Sequence, residues 1–141
     1  MAHREFLFRG KRIDNDEWVY GSFCMDAVEQ KNGLCGVDGF IRLYDFDKGK
    51  MQMHEVDRET VGQFTGLTDK SGQKIFEGDV VRFEDIDGEM VVCVVLWGAC
   101  GGRWELDVPA TGNRFAMSFY DVVVEAIGNI HDNPELLEGQ T

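Results

Sequence analysis

No stretch of this chain gathers lysine and arginine. The densest basic group, Arg9, Lys11 and Arg12, stands beside Asp14, Asp16 and Glu17. Binding a phosphate backbone requires clustered cations that displace counterions, and a formal net charge of −12 opposes it. Direct contact with DNA or RNA is therefore disfavoured. The same charge sum implies repulsion from an anionic membrane surface. Most of the imbalance sits from Arg58 onward, where 6 basic residues face 15 acidic ones.

Cysteine pairs at metal-ligand spacing are also missing. The four cysteines, Cys24, Cys35, Cys93 and Cys100, contain no CxxC, and in a reducing compartment they read as free thiols. A structural zinc site would have to draw on these and on His3, His54 and His131 without the close ligand pairs such sites use. Long apolar runs are absent too. The longest, residues 90–97, is far too short to span a bilayer. The opening segment, MAHREFLF, lacks the apolar core of a signal peptide. A cytoplasmic location is expected. No heptads, long repeats or low-complexity tracts occur.

What the chain does have is glycine and apolar residues. It carries 17 Gly and only 2 Pro, and 43% of its 141 residues are hydrophobic, including 10 Phe, 3 Trp and 3 Tyr. That is enough for a true core, and many glycines among β-branched and aromatic residues suggest short strands joined by turns. The periodicity is two rather than 3.6. Phe6 and Phe8 share one face of a first strand, Asn15 and Asp16 turn, and residues 18–23 return. Lys31, Asn32 and Gly33 turn again before a strand at 40–44 with Ile41 and Leu43 on one side. Asp47, Lys48 and Gly49 form a further turn, with residues 45–50 a linker candidate, and Met51 and Met53 sit at strand spacing beyond it.

In the second half, strands at 80–84 and 90–97 flank Asp85, Ile86, Asp87 and Gly88, a hairpin signal because Gly accepts the positive φ of such turns. Residues 91–97 are apolar on both faces and predict a central covered strand. Residues 104–108 alternate and predict one wet face. A turn at 109–113 precedes a strand placing Phe115, Met117 and Phe119 on one face. Residues 122–130 form a last strand. Asn133, Pro134 and Glu135 suit a helix start, Asn capping and Pro at the first position, with room for two turns at most before Gly139. The predicted fold is all-β: an N-terminal β-hairpin region over residues 1–57, a small barrel over 58–141, and a short C-terminal helical turn.

One polar segment, TGLTDKSGQKIFEGDVV at 65–81, is crowded enough to suggest an active-site loop. Val61, Phe64 and Leu67 recur every three residues, while Gly62, Gly66, Thr60 and Thr65 disfavour a helix; a strand with a glycine bulge reconciles the two. Asp69, Lys70, Ser71 and Gly72 suit a type I turn in which Asp69 accepts a backbone N–H and Gly72 is left-handed. Glu77, Gly78 and Asp79 form a second corner, with Asp79 tied to backbone. On this reading Thr65, Gly66, Asp69, Gly72, Glu77, Gly78 and Asp79, like Asn133 and Pro134, are structural. An Asp69→Asn change is expected to be mild. The rival reading gathers Asp69, Glu77 and Asp79 as catalytic or metal-binding carboxylates, but no nucleophile, His or oxyanion glycine accompanies them.

Other constellations are weaker. Asp85, Asp87 and Gly88 resemble a calcium loop, but in that register Phe83 and Val94 fall at the first and last ligand positions. Cys100, in the glycine-rich stretch 98–102, could pair with His54 or His131 as a nucleophile; a bent strand connection explains those glycines as well. Trp18, Tyr20, Trp97 and Trp104 could stack bases, but without a basic groove they read as packing residues.

The blocks FRGKRIDNDEWVYG (8–21), TVGQFTGLTDKSGQKIFEGDVVRF (60–83) and EAIGNIHDNPELL (125–137) resemble the signature blocks of the YopX family, small proteins of phages and prophages. The resemblance implies an SH3-like roll in the C-terminal part, a bacterial host setting, and no catalytic residues to carry over. Together these readings give no catalytic, metal or cofactor site. They favour a non-enzymatic accessory protein that binds a protein partner or itself as a homo-oligomer. The alternative is an acidic decoy of a host enzyme's nucleic-acid site, and a small hydrolase is the third reading.

Overall fold

The computed structural model describes residues 5–29, 33, 35–98, 101–119 and 123–138. It is all-β, as the periodicity predicts, with antiparallel sheets and two short 3-10 turns. Two compact units part between Gln63 and Phe64. Among the described residues no helix is long and apolar enough to cross a membrane.

The first unit contains β1 (Phe8–Arg12), β2 (Trp18–Glu29), β3 (Cys35–Asp45) and the greater part of β4 (Lys50–Thr68). Strand β1 pairs with both β2 and β4, so the order β1-β2-β3-β4 closes on itself. Closure needs a large irregularity. Arg9 lies opposite Gly62 but Lys11 opposite Asp57, leaving residues 58–61 against a single Gly10. Thr60 bolts this bulge: its hydroxyl donates to the Asp57 carbonyl (2.6 Å) and accepts from the Lys11 N–H (2.9 Å). Inside, Ile41 and Val56 are fully buried, and the Phe8 and Phe23 rings lie 6.1 Å apart. The Arg9 guanidinium sits 4.7 Å over the Trp18 ring, a cation–π contact.

Two readings of this unit are corrected. Phe6 precedes the first strand and is largely exposed. Residues 45–50 are no linker: the β3–β4 ladder runs to Asp45 opposite Lys50. Asp45 closes that turn, accepting from the Asp47 and Lys48 N–H groups and from Gln52 Nε2, the Asx geometry that makes Asp a turn residue. Of the expected turn at Lys31, Asn32 and Gly33, only Gly33 lies among the described residues.

The second unit contains β5 (Lys74–Phe76), paired with the end of β4, and a sheet of β6 (Asp79–Glu84), β7 (Met90–Gly98), β8 (Arg103–Val108), β9 (Asn113–Ala116) and β10 (Glu125–Asn129) in the order β10-β6-β7-β8-β9. Its core joins Ile75, Val81, Phe83, Cys93, Val95, Leu106, Val108, Met117 and Val124. Strand β7 is central, but its second face is only half covered, and Trp97 is 46% exposed against the edge of the Trp104 ring. The expected wet face of β8 is wet only in part, with Arg103 exposed and Asp107 half-buried. Glu105 and Leu106 are both buried, Glu105 bonded to Arg103 Nε at 3.2 Å. The strand expected to run through Phe119 ends at Ala116; a 3-10 turn, Met117–Phe119, drops Met117 into the core. The last strand is shorter than residues 122–130. The expected C-terminal helix is one 3-10 turn, Pro134–Leu137.

Ile41 is the only large aliphatic side chain besides Val56 fully buried among the described residues of the first unit. Ile41→Ala should therefore cost about 3 kcal/mol, measured as a shift in the denaturant midpoint.

Candidate functional site

The polar segment at 65–81 resolves into two corners. At the first, the Asp69 carboxylate is buried, 6% exposed, and both its oxygens are occupied. Oδ1 accepts from the Ser71 and Gln73 N–H groups at 2.9 Å each. Oδ2 accepts from the Ala126 N–H of β10 at 3.1 Å. Lys70 N–H donates to the Val124 carbonyl, and Gly72 N–H to the Asp69 carbonyl. Burial alone pushes the Asp69 carboxyl up, but the Ala126, Gln73 and Ser71 donors and the Lys70 charge outweigh it and hold it below its ordinary value. Gly72 has φ +84° and Gly66 φ +85°. Gly66 lies where the β4–β5 register slips between Phe64 and Thr68. Thr65 donates its hydroxyl to the Ile75 carbonyl and accepts from the Leu67 N–H.

At the second corner, Asp79 Oδ2 accepts from the Phe76 N–H at 2.8 Å. Gly78, φ +90°, links two elements through its backbone: its N–H donates to the Val95 carbonyl, and its carbonyl accepts from Ile130. Glu77 is half-buried beside them. Among the described residues no group of three His, Cys, Asp or Glu could hold a metal.

Asn133 does not cap the turn that Pro134 opens; no side-chain cap bond forms. Its Oδ1 reaches back to the Asn129 N–H (3.3 Å), while Asn129 Oδ1 accepts from His131 and Asp132. This reciprocal clamp presses on Gly128: a Cβ there would lie 2.5 Å from Asn133 Oδ1 and 2.8 Å from Leu136 Cδ1. Sequence reasoning missed Gly128 because the constraint comes from residues folding back over it.

The Cys93 thiol offers little chemistry. Burial, with a smaller push from the Asp107 charge, raises the Cys93 thiol to about 12, so it stays protonated. Cys24 is half-buried and free. The side chain of Cys35, with His3 and Cys100, lies outside the described residues.

Less expected is the outer face of the first unit. With Ile41 turned inward, Asp38, Phe40, Arg42 and Tyr44 share the outer face of β3, and register places Glu55, Met53 and Met51 beside the last three. Tyr44, Met51 and Met53 are each about half exposed, and Phe46, packed edge-on to Tyr44, is 87% exposed. At the other end of the row, the hydrogen bond from Asp38, then desolvation and the Asp38 charge, push the Glu55 carboxyl up, the mark of two carboxylates in contact. Nearby, a groove of about 470 Å³ is lined by Lys11, Arg12, Asp38, Asp57, Arg58 and Thr60 among others. It carries both signs of charge, and Arg12 is already held by Asp14 at 2.9 and 2.6 Å. The strand spacing of Met51 and Met53 was the sequence's one hint of this face.

Comparison with known families adds that the family described as YopX protein matches residues 7–138. The chain belongs to the YopX family. Two solved structures share its fold. Protein yopX from Bacillus subtilis is 21% identical with a TM-score of 0.55, covering 94% of this chain and 98% of its own. Protein EF1440 from Enterococcus faecalis is 23% identical with a TM-score of 0.51, covering 96% of this chain and 100% of its own. The comparison with curated proteins gives no match.

Asn in place of Asp69 would turn an NH2 toward a backbone donor, so the substitution is costlier than the sequence suggests. Asp69→Asn should cost about 1–3 kcal/mol. Because the native carboxyl titrates below its unfolded value, this stability is present above pH 3.8 and lost as pH falls through the depressed native value. Denaturation of wild type and variant should differ at pH 6 and converge on acidification. Gly72→Ala meets open space and only a backbone penalty of ~1 kcal/mol. Gly128→Ala, which forces the Asn133 clamp apart, should cost more, at about 2 kcal/mol; thermal melts of the two variants test the order.

Proposed function

We propose that this YopX-family chain is a non-enzymatic accessory protein of a phage or prophage that works by binding protein, itself included. The observation that carries this reading is the outer β3–β4 face, where Tyr44, Phe46, Met51 and Met53 form an apolar exposed row. Among the described residues, nine of the thirteen large hydrophobics that stand exposed lie in the first unit, from Phe6 to Met53. Contiguous exposed apolar surface on a folded domain marks an interaction site. The polar segment that most resembles an active site instead spends Asp69 and Asp79 on backbone N–H groups. The phage or prophage setting rests on the three signature blocks.

Size-exclusion chromatography with light scattering tests the self-binding part. A mass above 16.0 kDa that rises with concentration is expected. A monomer at high concentration would remove self-association. If host proteins were then bound in a manner lost at high salt, the acidic decoy reading would take its place.

A further inference from the structure

We propose that the outer face of β3–β4 is a two-fold interface between two copies of this chain, with Arg42 of each copy meeting the Asp38–Glu55 pair of the other. The inference rests on the self-association reading above and names its surface and its chemistry.

The first argument is charge. A two-fold interface is self-complementary: whatever residue i meets on the second copy must meet i in return. Along the outer face of β3 the order is Asp38, Phe40, Arg42, so an acid and a cation flank an aromatic ring symmetrically. Reversing one strand over the other about Phe40 places each Arg42 at the other copy's Asp38. Arg42 is exposed and has no ion-pair partner among the described residues. Asp38 and Glu55, the latter cross-strand from Phe40, are two carboxylates in contact with each other, which an incoming guanidinium would relieve by forked hydrogen bonding. A chain at −12 repels its own copies, so its association needs a local cation facing an acid.

The second argument is area. Tyr44, Met51, Met53 and Phe46 are 45%, 53%, 47% and 87% exposed. On the 150–250 Å² scale of such side chains they present roughly 500 Å². That is near the upper limit of what a monomer leaves bare, and with the axis at Phe40 it lies over the other copy beyond that copy's Asp38, not against its own counterpart. Half-buried Phe40 and the stem of Arg42 adjoin it. Tyr, Phe, Met and Arg are the residues enriched at such interfaces.

The test is a charge swap read by sedimentation equilibrium of the full chain at low salt. Arg42→Glu and Asp38→Arg should each weaken self-association at least tenfold, because each sets like charges opposite one another twice per dimer. Mixed in equal amounts, the two variants should recover association to within a few-fold of wild type, since the heterodimer restores both pairs. A monomeric wild type would remove the self-association reading and this interface with it. Wild-type association retained by both variants would overturn the interface alone. Weakened variants that fail to recover on mixing would overturn the Arg42–Asp38 pairing. Thermal melts confirm folding. If either charge-reversed chain does not fold, Arg42→Ala and Tyr44→Ala replace it, and unchanged association for both overturns the proposal.

Discussion

The second unit depends on one buried carboxylate. An ionised Asp at 6% exposure is costly unless every oxygen is satisfied, and Asp69 meets that condition with three backbone N–H groups. Two of them shape the turn before β5. The third belongs to Ala126, 57 residues further along, so the same group that folds a local turn also docks the last strand. Lys70 N–H on the Val124 carbonyl fixes that docking from the adjoining residue. Strand β10 can then pair with β6, whose first residue, Asp79, holds the second corner. The polarity that suggests an active site is thus the means by which a distant segment is put in register.

This division explains what was legible in the sequence. Asp85, Asp87 and Gly88 announce their hairpin because a turn's needs are local: Asp85 accepts from Asp87 and Glu89, and Gly88 takes φ +82°. The all-β class follows in the same way from period-two patterning. Readings failed where a residue answers to something distant in the chain. Asn133 looks like a helix cap, but its carbonyl oxygen is taken by the end of β10. Glu105 looks like the wet side of β8, yet it is buried in the space that Gly98 leaves by having no side chain. Met117 keeps the spacing of a strand residue but enters the core through a 3-10 turn. The closure of β1 on β4 was equally hidden, since the bulge at 58–61 breaks the periodicity that would have revealed it.

The two units handle apolar residues differently, and this bears on function. Among the described residues, the second gathers nine buried hydrophobics into one cluster. The first buries Ile41 and Val56 completely, fills much of its interior with Arg9, Thr60 and the Phe8–Phe23 contact, and turns Tyr44, Phe46, Met51 and Met53 outward. A short closed strand order explains the small interior: β1 is only five residues long, and Gly10 at its centre lies 3.1 Å, by its absent Cβ, from Val56. Ile41 of β3 and Val56 of β4 fill that small interior, and the alternation of both strands must still place every second residue outside. Those outer positions would ordinarily be Lys, Glu or Thr. Here Tyr44, Phe46, Met51 and Met53 form an apolar row at the end of the face away from the acidic pair, which adds nothing to the closed interior and, on the function proposed above, is where a second molecule docks.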